Sequence, residues 1–92
     1  MAQTKELETV MERTINKMDE EACDLLEFFK RNEVEWLVRE RLCSEYASNW
    51  YGYIRALTDL KLLDAAELRE ISRQLACFTV RLNESLPLYG GA

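Results

Sequence analysis

WYGYIRALTDLKLLDAAEL, residues 50–68, contains the end of one predicted helix, a tight connection and the start of the next helix. Asp64 and Glu67 have the spacing of a capping box, in which each side chain accepts a hydrogen bond from the backbone N–H of the other residue. Leu63 and Leu68 flank this cap at the spacing of a hydrophobic staple, which sets the angle at which the chain enters the helix. The stretch therefore predicts a helical hairpin whose second helix begins at about residue 65.

The segment after this cap has the most regular apolar spacing in the chain. Steps of three and four residues separate Leu68, Ile71, Leu75, Phe78 and Leu82. This spacing places all five side chains in one seam along a helix face. Because a proline cannot continue a helix, Pro87 marks the end. We predict a third helix over about residues 65–85 and a frayed tail over 88–92.

The segment before the connection predicts the most apolar helix, over about residues 33–60. Its main stripe consists of Val38, Leu42, Tyr46, Trp50, Tyr53, Leu57 and Leu60, and it is widened by Trp36, Cys43, Ala47 and Ile54. Together they cover roughly half the circumference, more than a simple surface helix shows. We expect this helix to be the centre of the molecule, covered by both other helices or by one helix and a second subunit. Gly52, on its polar side, indicates a close contact or a slight bend.

The N-terminal segment predicts a first helix over about residues 4–31. Its apolar stripe stays in phase throughout and consists of Leu7, Met11, Thr14, Met18, Ala22, Leu25 and Phe29. Asp19 could cap a new helix and split the segment, but the unbroken phase favours one helix. Asn32 and Glu35 form a second capping-box-like pair between the first two helices.

These segments predict an all-α fold, an up-down-up three-helix bundle of long antiparallel helices. The 92 residues form a single helical domain over 1–92. Two long helices with broad apolar arcs exceed what one shorter helix can cover, so we expect dimerisation to complete the core.

Charge is distributed unevenly along the chain. The formal net charge is −5, and residues 1–27 hold the whole excess, with three basic and eight acidic residues. Such a surface repels nucleic acid and anionic membranes and attracts basic partners. No apolar run approaches the ~18–20 residues of a membrane span, and the first residues do not have the pattern of a secretion signal, so we expect neither feature. Cys23, Cys43 and Cys77 have no metal-type spacing and are expected to be reduced and buried, so we expect a cytoplasmic protein.

Catalysis is improbable for this composition. The chain contains no histidine, which excludes the commonest general base and the usual Ser-His and Cys-His nucleophiles. No glycine-rich phosphate loop is present, and Cys43 is better interpreted as a buried structural thiol than as an activated one. We therefore predict no enzymatic activity, no cofactor and no metal.

An acidic face of the first helix supplies the first candidate binding residues, Glu12, Glu20, Asp24 and Glu27. Glu20 and Asp24 are like-charged neighbours at i, i+4, which costs a few tenths of a kcal/mol. One interpretation is a solvated face that keeps a small apolar protein soluble. The other is a docking surface for a basic partner. That partner includes the basic surface with which another protein normally binds nucleic acid.

Aromatic residues of the second helix supply the other candidates. Core packing accounts for Tyr46, Trp50 and Tyr53, but Tyr51 falls off the stripe and Trp36 lies at its edge. Because Trp and Tyr are favoured interface anchors, these two indicate a homodimer seam or, failing that, a foreign partner.

The favoured function is a non-enzymatic protein-interaction module, an adaptor or stoichiometric inhibitor with a protein partner, expected to form a homo-oligomer. The alternative is an acidic mimic that blocks a nucleic-acid-binding surface, as phage or mobile-element proteins do. A helix-turn-helix DNA-binding regulator is disfavoured, since the net charge opposes phosphate contact. We expect neither direct nucleic-acid binding nor membrane binding.

Overall fold

Three helices make up almost all of the described chain. The computed structural model describes residues 8–84, with α1 at Val10–Arg31, α2 at Trp36–Asp59 and α3 at Ala65–Glu84. No strand occurs within residues 8–84. The prediction of an all-α three-helix bundle is confirmed.

α1 begins later than the sequence pattern predicts. Thr9 is its N-cap in extended conformation and forms a capping box with Glu12, in which both hydrogen bonds measure 3.0 Å. The prediction that the helix begins at about residue 4 is therefore wrong at residues 8 and 9. Residues 4–7 lie outside the described range. From Val10 onward α1 is continuous through Asp19, so the prediction of an unsplit helix is confirmed.

The connection between α1 and α2 differs from the predicted cap. Asn32 is the C-cap of α1 and ends the helix with its extended backbone conformation. Its backbone N–H and its side-chain amide both donate to the carbonyl of Phe28, at 3.1 and 2.9 Å. Glu35 is the N-cap of α2 and makes no side-chain capping bond within the described residues. The predicted Asn32–Glu35 capping pair is therefore wrong, and α2 begins at Trp36 rather than at about residue 33.

The cap predicted for α3 is confirmed. The N–H of Glu67 donates to Asp64 Oδ1 at 2.8 Å, and the N–H of Asp64 donates to Glu67 Oε1 at 3.0 Å. Leu63 is buried and Leu68 packs partly buried against the core, as a staple requires.

The end of α2 has a Schellman motif. The N–H of Leu62 donates to the Leu57 carbonyl and the N–H of Lys61 donates to the Thr58 carbonyl, each at 2.9 Å. Lys61 adopts φ 61°, a left-handed conformation that usually selects glycine. The motif reverses the chain within a few residues and so brings α3 back along α2.

α3, and not α2, is the centre of the molecule. It packs closely along both α1 and α2, whereas the backbones of α1 and α2 approach each other at few positions. The predicted seam of α3 is confirmed, with Ile71, Leu75, Phe78 and Leu82 all buried. The expectation that α2 would be central is therefore wrong. The physical reason is that α1 and α2 pack on two sides of the apolar row of α3, which leaves their far edges apart.

The broad apolar arc of α2 is divided into a buried half and an exposed half. The buried half comprises Cys43, Tyr46, Trp50, Ile54 and Leu57. Val38, Tyr53 and Leu60, predicted for the main stripe, are 43 %, 50 % and 68 % exposed. The main stripe is thus wrong at these three positions, because α3 covers the side of α2 that carries Cys43 and Ile54.

The cysteines and Gly52 agree with the sequence predictions only in part. Cys43 is buried as predicted, but Cys23 and Cys77 are exposed, so their predicted burial is wrong. A Cβ placed on Gly52 would meet no described atom within 4 Å, so this glycine does not mark a close contact.

Replacement of Leu75 by aspartate tests the seam of α3. Leu75→Asp should lower the free energy of unfolding by at least about 3 kcal/mol, because it removes a buried leucine and places a carboxyl group in an apolar site. Val80→Asp, at an exposed position of the same helix, should change it by no more than about 0.5 kcal/mol. Urea titrations followed by circular dichroism measure both. Equal stability of the two variants would contradict the seam.

Candidate interaction surface

An open groove lies between α1 and α2. Its volume is about 360 Å³, and it is lined by Glu21, Asp24, Leu25, Phe28, Leu42, Glu45, Tyr46 and Asn49. Among the described residues, those of α3 do not line it. The groove is therefore a property of α1 and α2 together, formed where these two helices do not pack closely.

Two hydrogen bonds from α2 join the helices beneath the groove. The Tyr46 hydroxyl donates to the Met18 carbonyl at 2.6 Å, and the Trp50 indole N–H donates to Glu21 Oε1 at 2.9 Å. Trp50 also makes an edge-to-face contact with Tyr53, with ring centroids 5.3 Å apart. These aromatic side chains fill the space between α1 and α2 and fix the width of the groove.

Burial raises the pKa of two ionisable side chains of α2, Tyr46 and Cys43. Burial, and secondarily the carboxylates of Glu21 and Asp19, raises the pKa of the Tyr46 phenol above its usual value. Burial likewise raises the pKa of the Cys43 thiol, which lies 3.8 Å from the Leu82 carbonyl. A thiol nucleophile needs a lowered pKa. The arrangement therefore supports packing and hydrogen bonding at these groups rather than nucleophilic or proton-transfer chemistry.

The walls of the groove carry negative charge. Glu21 and Asp24 come from α1 and Glu45 comes from α2, and within residues 8–84 no lysine or arginine lines the groove. Arg41 forms an exposed ion pair with Glu45 at 3.4 Å, which offsets part of one charge. Exposed pairs of this kind are weak, so the groove remains an acidic site.

The predicted acidic residues do not form a single site. Asp24 lines the groove, whereas Glu12 caps the start of α1 and Glu27 forms an ion pair with Arg31 at 3.2 Å. Glu20 is exposed on α1 and does not line the groove. One of the four acidic candidates thus belongs to the concave surface.

The predicted aromatic residues lie elsewhere on α2. Tyr51 is 64 % exposed and Trp36 is partly buried at the first turn of α2. Neither residue lines the groove. Helical geometry places Tyr51 on a different side of α2 from Leu42 and Asn49.

Sequence reasoning missed the apolar walls of the groove. Phe28 is 45 % exposed, and Leu25 and Leu42 are partly buried. In the sequence Leu25 and Leu42 belong to apolar stripes and Phe28 adjoins the stripe residue Phe29, so none of the three is distinguishable from a core position. The available signal was the excess width of the arc on α2, which indicated a second contact surface without showing which side would be exposed.

The described residues contain no candidate metal site. Residues 8–84 contain no group of three metal-ligating side chains, and every buried side-chain nitrogen or oxygen among them has a hydrogen-bond partner. None of the three helices has an apolar stretch long enough to cross a bilayer within the described range.

Comparison of the chain with known proteins finds no matching protein family, no similar curated protein and no similar solved structure. The function is therefore argued from the groove and from the side chains around it.

Loss of the Tyr46 hydroxyl tests the link between α1 and α2. Tyr46→Phe should lower the free energy of unfolding by about 1 kcal/mol at neutral pH, since it removes one buried hydrogen bond. The raised pKa of Tyr46 adds a pH dependence. The contribution of the Tyr46 hydroxyl to the free energy of unfolding is complete below the ordinary tyrosine pKa of 10.0, and it is lost as the pH rises above that value.

Denaturant titrations at pH 7 and above pH 10 measure this difference. The wild-type advantage over Tyr46→Phe should shrink at the higher pH, because other tyrosines titrate equally in both proteins and cancel. A difference that is zero at pH 7, or that grows with pH, would contradict the buried hydrogen bond.

Proposed function

We propose that this chain is a small protein-interaction module, an adaptor or stoichiometric inhibitor that acts by binding alone. The observation that carries the proposal is the open groove between α1 and α2. Its α1 wall has the exposed Phe28 and the partly buried Leu25, and its α2 wall has the partly buried Leu42. Concave surfaces that combine apolar side chains with a few polar groups are typical of recognition sites.

Exposed apolar side chains in and beside the groove lie on a shared surface, which favours a role in binding over a chance distribution of single exposed residues. Phe28 on α1 and Val38, Tyr53 and Leu60 on α2 are all exposed. Helical geometry places the three α2 residues on the flank that also carries Leu42, which lines the groove. The surface combines aromatic and aliphatic side chains with the carboxylates of the groove, a mixture of apolar and polar groups that protein interfaces also have.

An acidic mimic of nucleic acid is the second candidate, and two contacts weigh against it. A mimic needs a row of available carboxylates in place of phosphates. Glu12 is engaged in the cap of α1 and Glu27 pairs with Arg31, which reduces the charge that the outer face of α1 can offer.

A helix-turn-helix regulator is disfavoured by the position of α3. A recognition helix must present one long face to the major groove. α3 instead lies against both other helices, and its Glu70 is paired with Arg73 at 2.7 Å.

The proposal is tested by affinity purification of the full chain from its native host, followed by gel filtration of the eluate. The expected result is a complex of fixed stoichiometry that survives 0.5 M salt, because apolar contacts are insensitive to ionic strength. An unrelated acidic helical protein of equal net charge is the control.

Two results would contradict the proposed module. A complex that dissociates as steeply with salt as the control's would favour the acidic mimic. A chain that elutes as a monomer with no retained protein at any salt concentration would overturn binding as its activity.

A further inference from the structure

We propose that the groove between α1 and α2 binds the apolar face of a basic amphipathic helix from another protein. This inference rests on the proposed function and specifies the chemistry of the partner. Three features of the molecule support it: the spacing of the exposed side chains, the opposite wall of the groove and the charge of its rim.

α2 carries a second seam that α3 does not cover. Its members follow one another at steps of 4, 3, 4, 4, 3 and 4 residues: Val38, Leu42, Glu45, Asn49, Tyr53, Ala56 and Leu60. Five members are apolar, and the two at its middle, Glu45 and Asn49, are polar. Six of them are in α2 and Leu60 is its C-cap. Steps of three and four are the spacing at which helices pack against one another, so this flank is suited to a helix rather than to an extended peptide.

The length of this seam sets the size of the partner. From residue 38 to residue 60 a helix rises about 33 Å, which matches a partner helix of roughly 20 residues. A partner helix uses anchors at i, i+3 or i+4, and i+7. The seam provides apolar positions for them at its two ends, Val38 and Leu42 at one and Tyr53, Ala56 and Leu60 at the other.

The opposite wall of the groove provides an aromatic anchor point. Leu25 and Phe28 of α1 line the groove, and the exposed Phe28 ring lies 6.3 Å from that of Phe29 between centroids. Tyr46 and Trp50, hydrogen-bonded to α1, keep the two walls apart. Apolar side chains of a partner can therefore enter between α1 and α2 without unfolding either helix.

The rim of the groove selects for positive charge. Glu21 and Asp24 stand on the α1 side and Glu45 on the α2 side, without a lining cation in the described chain. A second copy docked through the same groove would bring two sets of these carboxylates together, and like charges in contact oppose association. A helix with lysine or arginine beside its apolar face meets opposite charges instead, which favours it over self-association.

A synthetic peptide tests the proposed partner directly. The probe is a 21-residue peptide of leucine and lysine, with leucines at helical spacing on one face, labelled with a fluorophore and titrated with the full chain. Its controls are a scrambled peptide of the same composition and a peptide with glutamate in place of lysine. The basic amphipathic peptide should bind at least tenfold more tightly than either control.

Two matched pairs of variants locate the binding site. Asp24→Lys and Glu20→Lys change the net charge equally on neighbouring turns of α1, but Asp24 lines the groove and Glu20 does not. Phe28→Ala and Tyr51→Ala each remove an exposed aromatic ring, of which Phe28 lies in the groove. The groove variants should weaken binding at least fivefold, and their partners less than twofold.

Three results would overturn the inference. Equal binding of the scrambled peptide, or equal losses within each pair of variants, would reduce the effect to general charge attraction. A chain whose mass doubles with concentration, and reverts to monomer on Phe28→Ala, would assign the groove to a second copy. A natural partner that cross-links through Tyr51 and not through groove positions would refute this inference and leave the proposed function intact.

Discussion

A narrow row of apolar side chains on α3 holds the other two helices. Ile71 and Leu82 are fully buried, and Leu75 and Phe78 between them are nearly so. Because this row occupies one face of α3, α1 and α2 must reach it from its two sides, and their far edges cannot meet as well. The gap is bridged by Tyr46 and Trp50, whose polar atoms bond to α1. The groove follows from this constraint.

Features set by local spacing could be predicted from the sequence. The Asp64–Glu67 cap, the seam of α3 and the stripe of α1 depend on residues three or four apart, so periodicity was sufficient. The predicted Asn32–Glu35 cap was wrong, because asparagine suits either end of a helix. In the structure Asn32 is the C-cap of α1, and its side-chain amide donates to the Phe28 carbonyl. The left-handed turn at Lys61 was invisible because the residue is not glycine.

The division of α2 and the position of the groove depend on tertiary packing. Periodicity gives the direction of an apolar arc, but it does not show which part of a wide arc a neighbour covers. Cys43 is buried and Val38 is exposed, because α3 packs on the side of α2 that carries Cys43. The groove joins residues 21–28 to residues 42–49, which no local pattern connects. Candidates chosen by charge or aromaticity alone therefore included Asp24 but missed Phe28.

Native-state hydrogen exchange of the backbone amides is the most direct test of α3 as the common partner of both other helices. The amides between Ile71 and Leu82 should exchange only through global unfolding, with one shared free energy that matches the value from denaturant titration. Exchange of these amides through local opening, while the amides of α1 and α2 stay protected, would contradict this architecture.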